Sequence, residues 1–286
     1  MESHVNSDIA GIYVINLVTR PERWELFAEG FPSWEKAFNT LPERYPAVSG
    51  VSLPGYDEKP WFTSRLSEKR KKSWGGKAGC VLSHRNVIHK AYTQKWDNVL
   101  ILEDDAYLDS ANLQLWLSGL KKCVSELPDD WAVINFCTTI PISPCRLIAE
   151  YGGFKIVETC GAFGAVAYLL NGAILEEVLR ELPDEKGIWC WVARHKTIDR
   201  WFSQNLFRFG KVYLVAPALV GHRSVGSSDI SMSASQDWQL DFALKDLRLV
   251  KGRFVFETLK RLRRINNTLR NYGAVLRQGV KLLRGL

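Results

Sequence analysis

No stretch of this 286-residue sequence stays apolar for the length a helix needs to cross a bilayer. The opening residues, MESHVNSDIAG, lack a basic end followed by an apolar core, so no secretory leader is expected. The six cysteines form no CxxC pair, which argues against a zinc site. Without an export signal, free thiols in a reducing, cytoplasmic setting are expected. There is no internal repeat and no low-complexity tract.

What remains suits a packed globule, with 46% hydrophobic residues. The net charge of +7 is uneven. Residues 251–286 hold ten Lys or Arg against one acid, Glu257, and so carry +9; residues 1–250 therefore sum to −2. The division expected is a body over 1–250 and a basic tail over 251–286.

Short apolar runs rich in β-branched and aromatic residues predict strands at GIYVINL (11–17), VLIL (99–102), WAVINF (131–136), GAVAYLL (164–170) and KVYLVAP (211–217). Helical patterns lie between them, as in AGCVLSHRNVIHKAYTQKW, NLQLWLSGLKKCVSEL and NGAILEEVLREL. This alternation predicts an α/β fold, a mainly parallel sheet covered by helices on both faces. Such sheets bind ligands beyond the carboxyl ends of their strands. Residues 57–77, polar and basic, read as a long loop. Gly75, Gly76 and Gly79 fit no phosphate-loop fingerprint and read as turn and close-packing residues.

Glu103, Asp104 and Asp105 close the VLIL strand with three carboxylates. Buried strands seldom end so without a positive partner. Hard divalent cations commonly bind one or two carboxylates plus substrate phosphates, so an acid-x-acid pair here is a candidate for Mg²⁺ or Mn²⁺ over a nucleotide diphosphate. The alternative is an Arg or Lys paired with one acid, the others being solvated.

The surroundings carry more. IYVINLVTRPERW, GKAGCVLSHRNVIHKA, WDNVLILEDDAYL, GAVAYLLNGAILEEVL, TIDRWF and VYLVAPALVGHRSVGSSDI follow one another in order over roughly residues 11–232. Together they resemble glycosyltransferase family 25, the lipooligosaccharide-type galactosyltransferases and their relatives. The resemblance implies a GT-A fold, a UDP-sugar donor (typically UDP-galactose), a divalent metal and inversion to a β-linkage. It implies a glycan acceptor, with a glycolipid favoured by the lack of an export signal and by the tail.

Beside that resemblance, Asp105 is the first candidate metal ligand. Glu103 would reach the ribose or a metal-bound water, and Asp104 completes the substrate-facing cluster. His222 is a further candidate ligand as a neutral imidazole, or else an exposed loop histidine. Asn16, Arg20 and Arg23, just past the first strand, are candidates for the nucleotide, since Arg pairs well with phosphate; the alternative is an ion pair with Glu22 or Glu25. Ser83 and His84 lie on the CVLSH helix, as substrate contacts or as structural groups. Trp189 and Trp191 in GIWCWVARHKTIDRWF could stack on an acceptor sugar, or belong to the core. Asp199 matches the family's ID motif and is the candidate catalytic base; the alternative is a carboxylate that complements a helix dipole. Asp229, in GSSDI, is the reserve base, with a diphosphate-side loop its expected place.

The tail has apolar residues at 255, 259, 262, 265, 269, 272, 276, 280 and 283, one helical stripe with Lys and Arg on the other faces. Such a helix can lie on an anionic membrane surface, giving peripheral attachment to its inner face, or dock its stripe on the body. A nucleic-acid partner is not expected, because no recognisable module accompanies the basic charge. A catalytically silent relative, acting in adhesion or folding assistance, would be marked by loss of the acid-x-acid pair, and that pair is intact.

Overall fold

The computed structural model describes residues 9–64, 66–137, 140–223 and 249–285, with side chains described to residue 279. The strands, in chain order, begin with β1 (Ile12–Asn16), β2 (Glu43–Pro46), β3 (Asn98–Glu103), β4 (Ala106–Tyr107), β5 (Trp131–Cys137) and β6 (Ile140–Pro141). They continue with β7 (Cys145–Tyr151), β8 (Phe154–Thr159), β9 (Ala162–Phe163), β10 (Ala167–Asn171), β11 (Lys211–Ala216) and β12 (Gly221–His222). The helices are α1 (Pro21–Ala28), α2 (Phe31–Phe38), α3 (Glu68–Thr93), α4 (Ser110–Leu115) and α5 (Lys121–Ser125). After them come α6 (Leu175–Glu181), α7 (Ile188–His195), α8 (Ile198–Asn205) and α9 (Arg253–Gly285).

Eight strands form one sheet in the order β2-β1-β3-β10-β5-β11-β8-β7. Six of the eight point the same way, as a mainly parallel sheet requires; β10 and β8 are reversed and pair antiparallel with both neighbours. Strands buried on both faces explain the near-continuous apolar runs. Alternation along β1 and β3 sends Tyr13, Ile15, Val99 and Ile101 to one core layer, and Ile12, Val14, Leu100 and Leu102 to the other. The five strands read from the sequence are all present.

Three elements depart from that reading. The basic segment read as a loop over 57–77 is helical from Glu68, inside the 26-residue α3. Ser67 caps it, its hydroxyl accepting from the Arg70 N–H at 3.4 Å. Gly75 and Gly79 sit within that helix because the chain at 48–50 crosses it closely. A Cβ on Gly50 would lie 1.7 Å from the Gly75 carbonyl oxygen, and one on Gly79 would lie 2.3 Å from that of Val48. The helix read over NLQLWLSGLKKCVSEL is interrupted by a π-helical stretch, Trp116–Leu120, with non-helical backbone at Gly119. The edge hairpin β7–β8 has no counterpart among the runs singled out above. Its outer strand is only partly buried, so its apolar signal is weak.

Among the described residues no helix is long and apolar enough to cross a membrane. The basic tail is one 33-residue helix, α9.

Candidate functional site

β3 runs into the carboxyl end of the sheet and delivers Glu103, Asp104 and Asp105 there. β1 ends beside it with Asn16, and the short β12 pairs with β4, placing His222 opposite Ala106. The positive partner of the acids is Arg23, from the first turn of α1. Its Nη1 lies 2.9 Å from Asp104 Oδ1, and its Nη2 lies 3.2 Å from Asp105 Oδ2. His222 Nε2 adds a contact of 3.0 Å to the same Asp105 oxygen. Asp105 Oδ1 is buried and has no hydrogen-bond partner among the described residues.

Asn16 supports this cluster from below. Its amide nitrogen donates to Asp104 Oδ2 at 2.6 Å and to the Arg20 carbonyl at 3.2 Å. Its amide oxygen accepts from Arg44 Nε at 3.0 Å. Burial pushes the Asp104 carboxyl up to about 6, against the opposing pull of Arg23 and Asn16. The hydrogen bond to Asp105 raises His222 above its ordinary range, more than burial lowers it.

Glu103 is held separately. His84 Nε2 lies 3.3 Å from Glu103 Oε1, and His84 Nδ1 lies 2.6 Å from the Tyr168 hydroxyl. With Glu103 ionised, the consistent assignment has Nε2–H donating to the carboxylate and the Tyr168 hydroxyl donating to Nδ1. Sequence reasoning missed Tyr168 entirely, because it lies mid-strand in an apolar run. Cys80, one turn before His84, completes a group whose ligand atoms all lie within 4.8 Å of one another. Burial pushes its thiol well up, with further pressure from the charges of Glu103, Asp199 and Asp105.

Asp199 stands in the first turn of α8. Its Oδ1 accepts from the Arg200 N–H at 2.7 Å, and Thr197 makes no side-chain cap bond. Its charge reaches Cys80, as do those of Glu103 and Asp105.

Several other candidates make contacts within the protein. Ser83 is buried; its hydroxyl accepts from the Val48 N–H at 2.8 Å and donates to the Gly79 carbonyl at 2.6 Å. His84 is likewise buried, 1% exposed, with its Nε2 facing Glu103. Asn16, 1% exposed, bonds through its amide to Asp104, Arg20 and Arg44. Trp189 and Trp191 are buried in the core. Their ring N–H groups donate to the carbonyls of Pro54 and Glu181 at 2.8 and 3.2 Å. Arg20 lies 3.7 Å from Glu22 and remains half-exposed at the rim. Asp229 lies outside the described residues.

With this geometry in place, the chain can be compared with known proteins. Residues 9–138 match glycosyltransferase family 25. The family is described as an LPS biosynthesis protein, and the matched segment runs from β1 through β5, including Arg23 and all three acids. Over that segment, less than half of its length, the chain is similar to this family. No curated protein matches the chain. Among solved structures, a glycosyltransferase involved in the glycosylation of the major capsid of PBCV-1 superposes with a TM-score of 0.36 at 10% identity, covering 69% of this chain and 74% of that one. So loose an overlap transfers no property from one protein to the other.

Proposed function

We propose that the protein is a metal-dependent, inverting glycosyltransferase of GT-A type, moving a sugar, galactose first among candidates, from a UDP-sugar to a glycan or glycolipid acceptor. The observation that carries this is Asp105. It lies within the segment that matches family 25, at the carboxyl end of β3, with one buried carboxylate oxygen lacking a hydrogen-bond partner among the described residues. Buried polar atoms are rarely left so, and this oxygen belongs to a carboxylate whose other oxygen meets the His222 imidazole, donors that suit Mn²⁺ or Mg²⁺. Asp105, Glu103 and His222 would hold the ion. When bound, it would neutralise charge on the donor diphosphate.

The chain's own groups do the rest. Arg20, at the rim, offers its guanidinium to a donor phosphate. The acceptor hydroxyl oxygen forms a bond to the anomeric carbon opposite the diphosphate. The bond from that carbon to the diphosphate oxygen breaks, and its electron pair leaves with UDP. Asp199 takes the hydroxyl proton. His84 and Tyr168 keep the Glu103 carboxylate in one orientation.

Hydrolysis of a panel of UDP-sugars, with Mn²⁺ and with EDTA, tests this. Release of UDP from one sugar, abolished by EDTA, is the expected result; full activity in EDTA overturns the metal. One observation favours a second reading, a catalytically silent relative: Arg23 already offsets two of the three acids. Absence of turnover with every UDP-sugar would support that reading.

A further inference from the structure

α9 docks on the body by its polar face. Lys260 Nζ lies 3.1 Å from Glu158, a fully buried carboxylate of β8 that Arg146 also holds at 2.7 Å. Asn267 donates to the Gln204 carbonyl at 3.1 Å, and Gln278 donates to the Cys190 carbonyl at 3.2 Å. Among the described residues, Phe256 is the one large apolar side chain this helix buries. At 100° per residue these positions fall on one side of the helix.

The apolar stripe lies on the opposite side and faces outward. Leu262, Ile265, Leu269, Tyr272 and Leu276 are 58–72% exposed. Of the sixteen large hydrophobic side chains exposed among the described residues, nine belong to α9. A soluble helix normally buries such a stripe against its own core. Here the core-facing positions are polar apart from Phe256, and the stripe is left for something else.

We propose that this face of α9 lies on an anionic phospholipid surface. The helix runs along the outside of the body, so the stripe from Val255 to Leu276 presents a ridge roughly 30 Å long. Exposed arginines flank it on both sides, Arg253, Arg261 and Arg264 along one edge and Arg270 and Arg277 along the other. That arrangement sinks apolar side chains to the acyl boundary while cations meet anionic headgroups. The same edges disfavour a second copy of the chain. Stripe against stripe would set arginine edge against arginine edge in either orientation, and Glu257 is the helix's one acid. Vesicle binding needs neither donor nor acceptor, so it is read independently of sugar transfer.

The test uses the full chain. Vesicles of phosphatidylcholine alone, and of phosphatidylcholine with phosphatidylglycerol, are sedimented with wild type, with Leu262→Gln/Leu269→Gln/Leu276→Gln and with Arg261→Gln/Arg264→Gln. Oligomeric state is followed by sedimentation velocity. All the substituted side chains are exposed, and unchanged thermal unfolding checks that the variants fold. The expected result is a monomer that binds phosphatidylglycerol vesicles at least about tenfold more tightly than phosphatidylcholine, with each variant at least about tenfold weaker. Equal binding to both vesicles, unchanged binding by the triple leucine variant, or a wild-type dimer that this variant converts to monomer would each overturn the proposal.

Discussion

His222 Nε2 lies 3.0 Å from Asp105 Oδ2, across a sequence separation of 117 residues. The contact joins the β4–β12 ribbon to the carboxyl end of β3, and the second Asp105 oxygen is buried without a hydrogen-bond partner among the described residues. Two groups that each suit a divalent ion are thus brought together by the fold. Asp105→Asn is expected to lower UDP-sugar turnover by at least about a hundredfold, as loss of one electrostatic group at a developing charge does. It should also abolish binding of Mn²⁺ followed by the electron paramagnetic resonance signal of the free ion. His222→Ala should weaken Mn²⁺ binding less, because one donor of the set is removed and the carboxylates stay. Unchanged Mn²⁺ affinity in Asp105→Asn would show that the ion, if bound, lies elsewhere.

Asp199 answers to a different experiment. As the base, Asp199→Asn keeps UDP and Mn²⁺ affinity but lowers transfer to acceptor by at least about a hundredfold. As a carboxylate that only caps the Arg200 N–H and complements the dipole of α8, it contributes about 0.3–1 kcal/mol of stability, and its loss leaves transfer almost intact. Transfer rates and UDP affinities of the two proteins separate these cases.

The crossing of residues 48–50 over α3 allows no side chain. Gly50→Ala would bring a methyl group to 1.7 Å from the Gly75 carbonyl oxygen and 2.8 Å from the Gly79 N–H nitrogen, both backbone atoms. The helix and the crossing segment must then separate, at a cost of about 1–3 kcal/mol or more. Chemical denaturation should show a lower midpoint at unchanged slope. A midpoint equal to wild type would mean the crossing is looser than described.

His195 gives a pH dependence of known sign. Burial lowers its imidazole to about 4, with Arg194 and Arg200 adding to the effect, while its ring packs 4.8 Å from that of Trp191. The unfolded chain binds this proton near pH 6.5 and the folded protein only near 4. Its stabilising contribution is therefore complete above about 6.5 and is lost as pH falls toward 4, a loss of the order of 1–3 kcal/mol. Asp104, pushed up to about 6, acts in the opposite direction in an overlapping window, since acid relieves the cost of burying its charge. The difference between wild type and His195→Phe isolates the histidine. Denaturation at pH 7.5 and 4.5 should show a smaller loss in the variant, and identical losses would remove His195 from the account.

The sequence by itself determined the strands, because β1, β3, β5, β10 and β11 are buried on both faces and announce themselves as apolar runs. It determined that three carboxylates stand at the end of one of them, and that the tail carries a stripe with basic flanks. These are local properties, readable from neighbours in the chain. Which partner each group meets was decided by tertiary structure. Asn16 and Asp104 are 88 residues apart and Asp105 and His222 are 117 apart, and no local pattern records such pairings. Trp189 and Trp191 could be core or platform from sequence; only the packing of α7 against the body shows their ring N–H groups spent on backbone carbonyls. The tail shows the limit most clearly. Periodicity revealed an apolar face on α9, but not that the body would take the opposite one, because that choice rests on Glu158, buried in a strand about a hundred residues away and needing the cations that Arg146 and Lys260 bring.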